Sequence, residues 1–200
     1  MNEVRRYGDH ALLVEVADPA GVARTLRAAP PAGVLEVVPA AATVLVVHAP
    51  GADVRRLEAL LAEVCPTPTD EAAAEVVIAV RYDGDDLHDV AALCDLSVQD
   101  VVRRHQAAAY TVAFCGFAPG FAYLRGLDPA LVVPRLVTPR VRVPAGSVAV
   151  ADTWSAVYPR ESPGGWRLSG HTDATLWDLG RPSPALLAPG TRVRFVQDAS

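Results

Sequence analysis

The segment YTVAFCGFAPGFAYLRGLD, residues 110–128, holds the densest group of side chains that could contact a ligand. A strand-like run ends there in a loop whose glycines allow unusual backbone angles and whose proline stiffens the chain. Such a loop could present backbone N–H groups to a substrate. The alternative is a tight turn whose aromatic side chains pack in the core. The candidate substrate contacts are Gly116, Phe117, Pro119, Gly120, Phe121 and Tyr123.

Two arginines follow in the segment PRLVTPRVRVPAGSVAV, residues 134–150. Arg135 and Arg140 each stand after a proline, and a guanidinium can hold a carboxylate or phosphate through two parallel hydrogen bonds. The turn at Gly146 and Ser147 could add backbone N–H donors. Extended loops held by proline are the alternative, because most surface arginines take no part in chemistry. Arg140, Gly146 and Ser147 are the candidates from this segment.

A third segment, YPRESPGGWRLSGHTD at residues 158–173, brings a hydroxyl, an acid and an imidazole close together in the chain. A Ser-His-acid triad is disfavoured, because the segment lacks the G-x-S-x-G turn that exposes a nucleophilic serine. A histidine that contacts substrate is favoured over the triad, while a solvated loop histidine is the commoner case and remains the alternative. The candidates are Tyr158, Ser162, Gly165, Trp166 and His171.

Two further groups have non-catalytic explanations. His105, near the end of a predicted helix, is expected close to the aromatic loop, and we predict a structural role for it. The acidic run DGDDLHD, residues 83–89, could attract a divalent ion. Adjacency alone does not supply convergent ligands, so an exposed turn before a helix is favoured. We predict no metal site.

Apolar periodicity outlines the elements that must position these residues. Strands are predicted at 11–16, 34–40 and 43–49, and helices at 19–28, behind an Asp18 N-cap, and at 53–64. In the second helix, Val54, Leu57, Leu60, Leu61 and Val64 share one face. The order β-α-β-β-α predicts a small ferredoxin-like N-terminal α/β domain.

Residues 65–75 combine prolines, threonines and acids without an apolar period, as linkers do. A strand then starts at 76, and a helix capped by Ser97 runs to about residue 106. Beyond Tyr110, ten prolines and nine glycines separate short apolar runs (TVAF, LVV, SVAV, AVY and TRVRFV), which indicates a β-rich, barrel-like domain. We predict an α+β protein with domains at 1–68 and 76–200.

Composition excludes several kinds of chemistry and partner. All eighteen basic side chains are arginine, so a lysine Schiff base, a biotinyl-lysine and a P-loop lysine are all impossible here. The net charge of −5, with both signs interspersed, offers no basic patch to nucleic acid. The apolar runs are shorter than the roughly 18 to 20 residues of a membrane span, and charges interrupt the N-terminal region where a secretory signal is apolar. Three widely spaced cysteines fit a reducing compartment. We expect a cytoplasmic protein without a nucleic-acid or membrane partner.

Several segments together resemble one protein family, known as allophanate hydrolase subunit 1, the 5-oxoprolinase B-type subunit or the carboxyltransferase domain C/D, which includes a sporulation kinase inhibitor. An opening strand similar to the family's is found in RYGDHALLVEV, residues 6–16. The other matching features are His105, Tyr110, GFAPGFAYL (116–124), Pro139-Arg140, VPAGSVAV (143–150) and YPRESPGGW (158–166).

The resemblance implies a small N-terminal α/β domain followed by a cyclophilin-like β-barrel domain. It also implies that the chain is the B-type subunit of an ATP-dependent 5-oxoprolinase or allophanate-hydrolase-like complex, active only with partners. The expected partners are a C-type subunit of related barrel fold, similar to allophanate hydrolase subunit 2, and in addition an A-type subunit. In such a complex 5-oxoproline is opened to glutamate at the expense of ATP, which binds this chain or another part of the complex.

Within this resemblance, Arg140 and His171 are the expected catalytic residues, with the 116–121 loop on the site. The main alternative is a regulatory binding protein that inhibits a sensor histidine kinase, as in the family's non-enzymatic branch. Peptidyl-prolyl isomerase activity would follow only from the implied cyclophilin-like fold, and a fold does not imply a function.

Overall fold

The structure, a computed structural model, describes residues 1–67 and 75–198. These residues form two compact units, one before and one after the segment 68–74. Each unit has hydrophobic core residues of its own. Most of the predicted linker, 65–75, lies outside the described residues, so the boundary between the predicted domains 1–68 and 76–200 stays a prediction.

The N-terminal unit, as described over residues 1–67, is a four-stranded antiparallel sheet with two helices. Its strand order, β1-β2-β4-β3, contains the predicted ferredoxin-like arrangement, with one additional strand at the edge beside β2. That edge strand, EVRR, is mostly exposed and lacks an apolar alternation, so the sequence does not predict it. The elements are β1 (Glu3–Arg6), β2 (Ala11–Glu15), α1 (Pro19–Ala28), β3 (Val34–Pro39), β4 (Thr43–His48) and α2 (Val54–Glu63).

Local signals start both helices of this unit where the sequence predicts them. The Asp18 carboxylate accepts a hydrogen bond from the backbone N–H of Gly21 at 3.1 Å, and Asp53 caps α2 in the same way. Leu57 and Leu61 of α2 are buried against the sheet. Leu60, predicted on the same apolar face, is 41% exposed, because the buried stripe of this helix is narrower than the periodicity indicates.

Within residues 75–198, the C-terminal unit contains nine strands, two α-helices and a short 3-10 helix at Pro129–Leu131. The apolar run LVV, residues 131–133, is not part of a strand. Asp128 caps the 3-10 helix there, and beyond it Val133 forms only an isolated bridge with Asp152. The elements are β5 (Glu75–Val80), α3 (Leu87–Leu93), α4 (Val98–Ala107), β6 (Tyr110–Cys115), β7 (Ala122–Arg125), β8 (Arg140–Val143), β9 (Ser147–Ala151), β10 (Trp154–Val157), β11 (Ser162–Gly164), β12 (Arg167–His171) and β13 (Arg192–Gln197).

Seven of these strands form a sheet that nearly closes into a barrel. Their order is β12-β9-β10-β7-β6-β13-β5, and only the β5–β13 pair is parallel among the described strands of this sheet. The two outer strands approach each other at Arg81 and His171, which exchange two backbone hydrogen bonds of 2.8 Å. This mixed architecture with a barrel-like sheet confirms the predicted α+β fold class.

The two faces of the barrel-like sheet carry different side chains, because residues alternate along each strand. One face packs against α3 and α4 in a core that includes Val112, Leu124 and Phe195. The opposite face carries a second cluster, to which Val143 of β8 contributes. The paired strands β8 and β11 therefore cover part of this second face.

The two helices of the C-terminal unit are short. The Ser97 hydroxyl accepts from the N–H of Asp100 at 3.1 Å and caps α4, as predicted. The helix α3 follows Asp86 and has seven residues. Within residues 1–67 and 75–198, no helix combines the length and the apolar character needed to cross a membrane.

Candidate substrate site

A recess of about 90 Å³ opens on the second face of the barrel-like sheet, the face opposite α3 and α4. A water molecule occupies about 30 Å³ in the liquid, so the recess admits a small molecule or one ring of a larger one. Six candidates from the sequence line it, together with Arg135 and Gly164. These six are Phe117, Phe121, Tyr123, Tyr158, Gly165 and Trp166.

Strand alternation places the aromatic side chains on this face. Ala122 and Leu124 of β7 belong to the core on the helical side, so Phe121 and Tyr123 point the other way. Tyr158 directly follows β10 and is in the same cluster as Phe121. Residues from separate sequence segments therefore meet at one recess.

The walls of the recess are aromatic rings in mutual contact. The ring of Phe121 lies 5.3 Å from that of Tyr158 and 5.7 Å from that of Trp166, both nearly perpendicular. The ring of Phe114 stacks on that of Tyr123, with 4.3 Å between the ring centres. Edge-to-face and stacked pairs of this kind fix ring orientation, so these walls are pre-formed for a flat apolar group.

The hydroxyl of Tyr158 supplies polarity at the recess. Burial raises the pKa of Tyr158, and the backbone N–H of Trp166 and the charges of Arg135 and Arg140 partly oppose that rise. The phenol therefore stays protonated at neutral pH. A protonated phenol can donate through its O–H, so Tyr158 brings a hydrogen-bond donor to the lining of the recess. A Cβ at Gly164 would lie 2.3 Å from this oxygen, so glycine is needed there.

The aromatic loop bends at Phe117, which has a φ of 67° and is 59% exposed. A positive φ is uncommon for a bulky residue and is often found at functional sites. Gly116 has no positive φ, whereas Gly120 does, and a Cβ at Gly120 would lie 2.9 Å from the Cβ of Trp177. Gly116, Gly120 and exposed Pro119 shape the loop without lining the recess.

Gly146 and Ser147 form a bulged turn that holds Tyr158. The N–H of Gly146 donates to the Tyr158 carbonyl at 2.8 Å, and the N–H of Tyr158 donates to the Ser147 carbonyl at 2.9 Å. Gly146 has a φ of 82°, as this type of bulge requires. The Ser147 N–H bonds the Pro144 carbonyl, so both N–H groups of the turn have partners within the chain.

His171 lies beside this turn, outside the lining of the recess. It pairs with Ser147 across β9 and β12, which places its side chain on the same face of the sheet as Tyr158. A Cβ at Gly146 would lie 2.6 Å from the His171 ring. The Nε2 atom is 3.4 Å from the carboxylate of Asp173, which also accepts a 2.8 Å hydrogen bond from Arg81.

Arg140 is held by a buried carboxylate. Its two terminal nitrogens donate to the two oxygens of Asp86 at 2.9 and 2.8 Å. Asp86 is 4% exposed and also accepts from the N–H of Leu168 at 2.7 Å. The pKa of Arg140 is raised chiefly by the hydrogen bond with Asp86, so the guanidinium stays charged. Both terminal nitrogens of Arg140 are thus occupied by Asp86, although the positive charge of Arg140 still acts to lower the pKa of Tyr158.

Three other sequence candidates lie away from the recess. Ser162 begins β11, and its hydroxyl donates to the Arg160 carbonyl at 3.5 Å. His105 does not contact the aromatic loop; it is buried on the helical side of the sheet, bonded to Tyr82 and Ser155. In the acidic run, Asp86 binds Arg140, and the described residues contain no cluster of three His, Cys, Asp or Glu side chains able to hold a metal.

Comparison with known proteins places this chain in a family. The family called carboxyltransferase domain, subdomain C and D, matches residues 2–187. The chain belongs to this family. The B-type subunit of 5-oxoprolinase from Escherichia coli O157:H7 is 50% identical over 113 residues, which cover 56% of this chain and 52% of that protein. The corresponding 5-oxoprolinase subunit from Haemophilus influenzae is 40% identical over 146 residues, or 72% and 68% of the two chains. The match to the Escherichia coli relative spans about half of its length.

Solved structures share the fold of this chain. The protein TTHA0988 has 38% identity and a TM-score of 0.79 across 100% of this chain, and the match covers 40% of that longer chain. The urea amidolyase of K. lactis has a TM-score of 0.77 over 98% of this chain and 15% of its own. Its identity is 19%, so that likeness shows the fold alone.

Sequence analysis did not select two residues that line the recess, although it named Arg135 beside Arg140 as a possible anion contact. Gly164 and Gly165 are adjacent in the PGG turn. The neighbouring sequence does not show that Gly164 is the one that makes room for the Tyr158 hydroxyl. Arg135 stands in the same segment as Arg140, and both follow proline. Only the positions of their distant partners show which arginine faces the recess.

Proposed function

We propose that the chain is the B-type subunit of an ATP-dependent 5-oxoprolinase-type complex that hydrolyses a small cyclic amide or ureido carboxylate. The proposal is supported chiefly by the joint occurrence of the family match and a small aromatic recess that carries a protonated Tyr158 hydroxyl. The relatives named as 5-oxoprolinase subunits are proteins of this same family. The reaction would take place in the cytoplasm, where ATP is available.

The recess suits a five-membered lactam. The rings of Phe121, Tyr158 and Trp166 would enclose the flat apolar part of the substrate. The Tyr158 O–H would donate to the lactam carbonyl and stabilise the negative charge that develops on its oxygen during hydrolysis. The edge of the recess would leave the remainder of the substrate accessible to a partner protein.

The two predicted catalytic residues would act from beside the recess. His171, on the same face as Tyr158 and next to the Gly146 turn, is proposed to transfer a proton to or from the substrate. Arg140 is proposed to act through its charge, which is fixed by Asp86 and opposes the rise in the pKa of Tyr158. It is a positioning residue in this proposal.

The partners in the proposal are an A-type and a C-type subunit, with ATP bound to this chain or elsewhere in the complex. Because the sequence has no lysine, any phosphate contact from this chain would come from arginine, histidine or backbone N–H groups. The naming of the relatives as subunits supports an assembly of several chains.

The test is ATP-dependent release of glutamate from 5-oxoproline by this chain co-expressed with A-type and C-type partners, each omitted in turn. We expect activity that requires this chain. Tyr158→Phe is expected to lower kcat by about 10²-fold, the loss typical of one transition-state donor. Tyr7→Phe, at an exposed position in the N-terminal unit, is the matched control and should keep full activity.

One outcome would change the substrate within the proposal, and another would contradict the proposal. If the three proteins form a stable complex that never opens 5-oxoproline, the substrate is another amide or ureido carboxylate. If no complex forms, the regulatory alternative takes precedence. It is then tested by adding the chain in excess to candidate sensor histidine kinases and measuring their autophosphorylation.

A further inference from the structure

Arg135 is anchored to the wall of the recess by its neighbours in the chain. The Pro134 carbonyl accepts a 3.0 Å hydrogen bond from Nε of Arg167, and the Leu136 N–H donates to the Gly165 carbonyl at 2.8 Å. The residues on both sides of Arg135 are therefore bonded to the segment that carries Trp166. This fixes the backbone from which the Arg135 side chain extends.

The Arg135 guanidinium is placed over an aromatic ring at the recess. Its central carbon lies 5.7 Å from the centre of the Trp166 ring, within the range of a cation–π contact. The side chain is 55% exposed, and Arg135 lines the recess. Stacking on a ring restrains the guanidinium while leaving its N–H edge available for a planar anion.

The ion pair of Arg135 is weak by comparison with that of Arg140. Asp152 lies 3.6 Å away and is 59% exposed, a distance and exposure at which ion pairs contribute little. Arg140, in contrast, is bound through both terminal nitrogens to Asp86, whose side chain is 5% exposed. Of these two arginines, Arg135 can change partner at low cost.

We propose that Arg135 binds the carboxylate of the substrate, so that the recess selects a small cyclic carboxylate over the same ring without its charge. This inference rests on the proposed function, because the substrate class is taken from it. The ring would enter the recess that Phe121 and Trp166 line, and the carboxylate would replace Asp152 at the guanidinium edge. A planar, bidentate pair with arginine supplies both the affinity and the orientation.

The test compares L-5-oxoproline with its uncharged carboxamide, which has the same ring. Binding to the full chain is measured by the change in tryptophan fluorescence and by the shift of the Arg135 Nε–Hε NMR signal. We expect the carboxylate to bind at least about tenfold more tightly than the carboxamide, as a charge-assisted hydrogen bond provides. Arg135→Gln should reduce this ratio to about one, and Arg135→Lys should restore part of it.

Arg142→Gln is the matched control, because Arg142 is 75% exposed, pairs with Glu161 and does not line the recess. It should keep the wild-type ratio. A ratio that survives in Arg135→Gln would overturn the inference and leave the proposed function intact. Propionate serves as a carboxylate probe without the lactam ring. If it shifts the Arg135 signal as strongly as 5-oxoproline does, the anion site stands and the proposed substrate fails. If neither compound shifts it, the inference is overturned.

Discussion

Two buried ionisable side chains of the C-terminal unit, Asp86 and His105, depend on specific hydrogen bonds. Asp86 accepts from Arg140 and from the backbone of Leu168. His105 lies between Tyr82 and Ser155. Because a buried polar group without a partner costs more free energy than an exposed one, changes at these residues should affect stability more than changes at surface ion pairs.

Asp86→Ala should lower the free energy of unfolding of the C-terminal unit by about 3 kcal/mol, because it leaves the Arg140 charge partly buried without its partner. Glu161→Ala breaks the exposed pair with Arg142 and should cost less than about 1 kcal/mol. Urea unfolding followed by tryptophan fluorescence measures both. Equal losses in the two variants would contradict the structural role assigned to Asp86.

The tautomer of His105 follows from its neighbours. The Ser155 hydroxyl donates to the Ala149 carbonyl at 3.3 Å, so its oxygen accepts the Nε2–H of His105. The Nδ1 atom then accepts from the Tyr82 hydroxyl at 2.9 Å. Burial lowers the pKa of His105 to about 3 and holds the ring neutral.

His105 should make stability fall in acid. Its folded pKa of about 3 lies below the unfolded value near 6.5, so the unfolded chain binds the proton first. The contribution of His105 is therefore complete above pH about 6.5 and is lost as the pH falls toward 3, at a slope of up to about 1.4 kcal/mol per pH unit. His105→Gln should flatten the dependence measured by urea unfolding between pH 7 and 4. His88→Gln, at an exposed position, should leave it unchanged.

At the scale of elements, helix caps and turns decide where His105 and Tyr158 are placed. The helix α4 carries His105 into the core, and Ser97 caps its first turn. The turn at Gly146, between β8 and β9, is hydrogen-bonded to Tyr158 and so fixes Tyr158 next to the strand that pairs with His171. The cap and the turn each provide hydrogen-bond acceptors for backbone N–H groups that would otherwise lack partners.

Ser97→Ala should destabilise the C-terminal unit by about 1 kcal/mol, because the N–H of Asp100 loses its acceptor at the start of α4. Gln99→Ala, in the same turn but not in the cap, is the control and should have little effect. Thermal and urea unfolding monitored by fluorescence compare the two. Because alanine has a higher helix propensity than glutamine, a loss in Gln99→Ala as large as that in Ser97→Ala would contradict the assignment of the effect to the cap.

At the scale of the whole molecule, the two units have separate cores. The N-terminal core contains Leu12, Val44 and Leu61, and no buried residue of that cluster lies beyond the first described segment, 1–67. The three tryptophans, at 154, 166 and 177, all belong to the C-terminal unit. Tryptophan fluorescence therefore reports the unfolding of one unit only, while circular dichroism reports both.

Leu61→Ala should lower the stability of the N-terminal unit by about 2 to 5 kcal/mol, because the removed side chain is fully buried. The circular dichroism transition should then split, while the midpoint of the fluorescence transition stays at its wild-type urea concentration. Leu60→Ala, on the same helix but 41% exposed, should shift neither. A fluorescence midpoint that moves with Leu61→Ala would show that the two units unfold as one.

The sequence by itself determines the elements whose signals are local. Asp18, Asp53 and Ser97 mark three helix starts, and the apolar runs mark most strands, because caps and periodicity depend on residues within a few positions of each other. The motif resemblance also identifies the family and six residues of the recess. The edge strand β1 is not predicted from the sequence, because its residues are mostly polar and exposed.

Tertiary structure alone decides which candidate faces the recess. Arg135 and Arg140 have the same local context, but Asp86, 54 positions from Arg140 in the chain, binds one of them and leaves the other at Trp166. In the same way, His105 meets Ser155 only through folding. Partners so distant in sequence leave no local pattern, since their contact depends on strand order and register across the whole sheet.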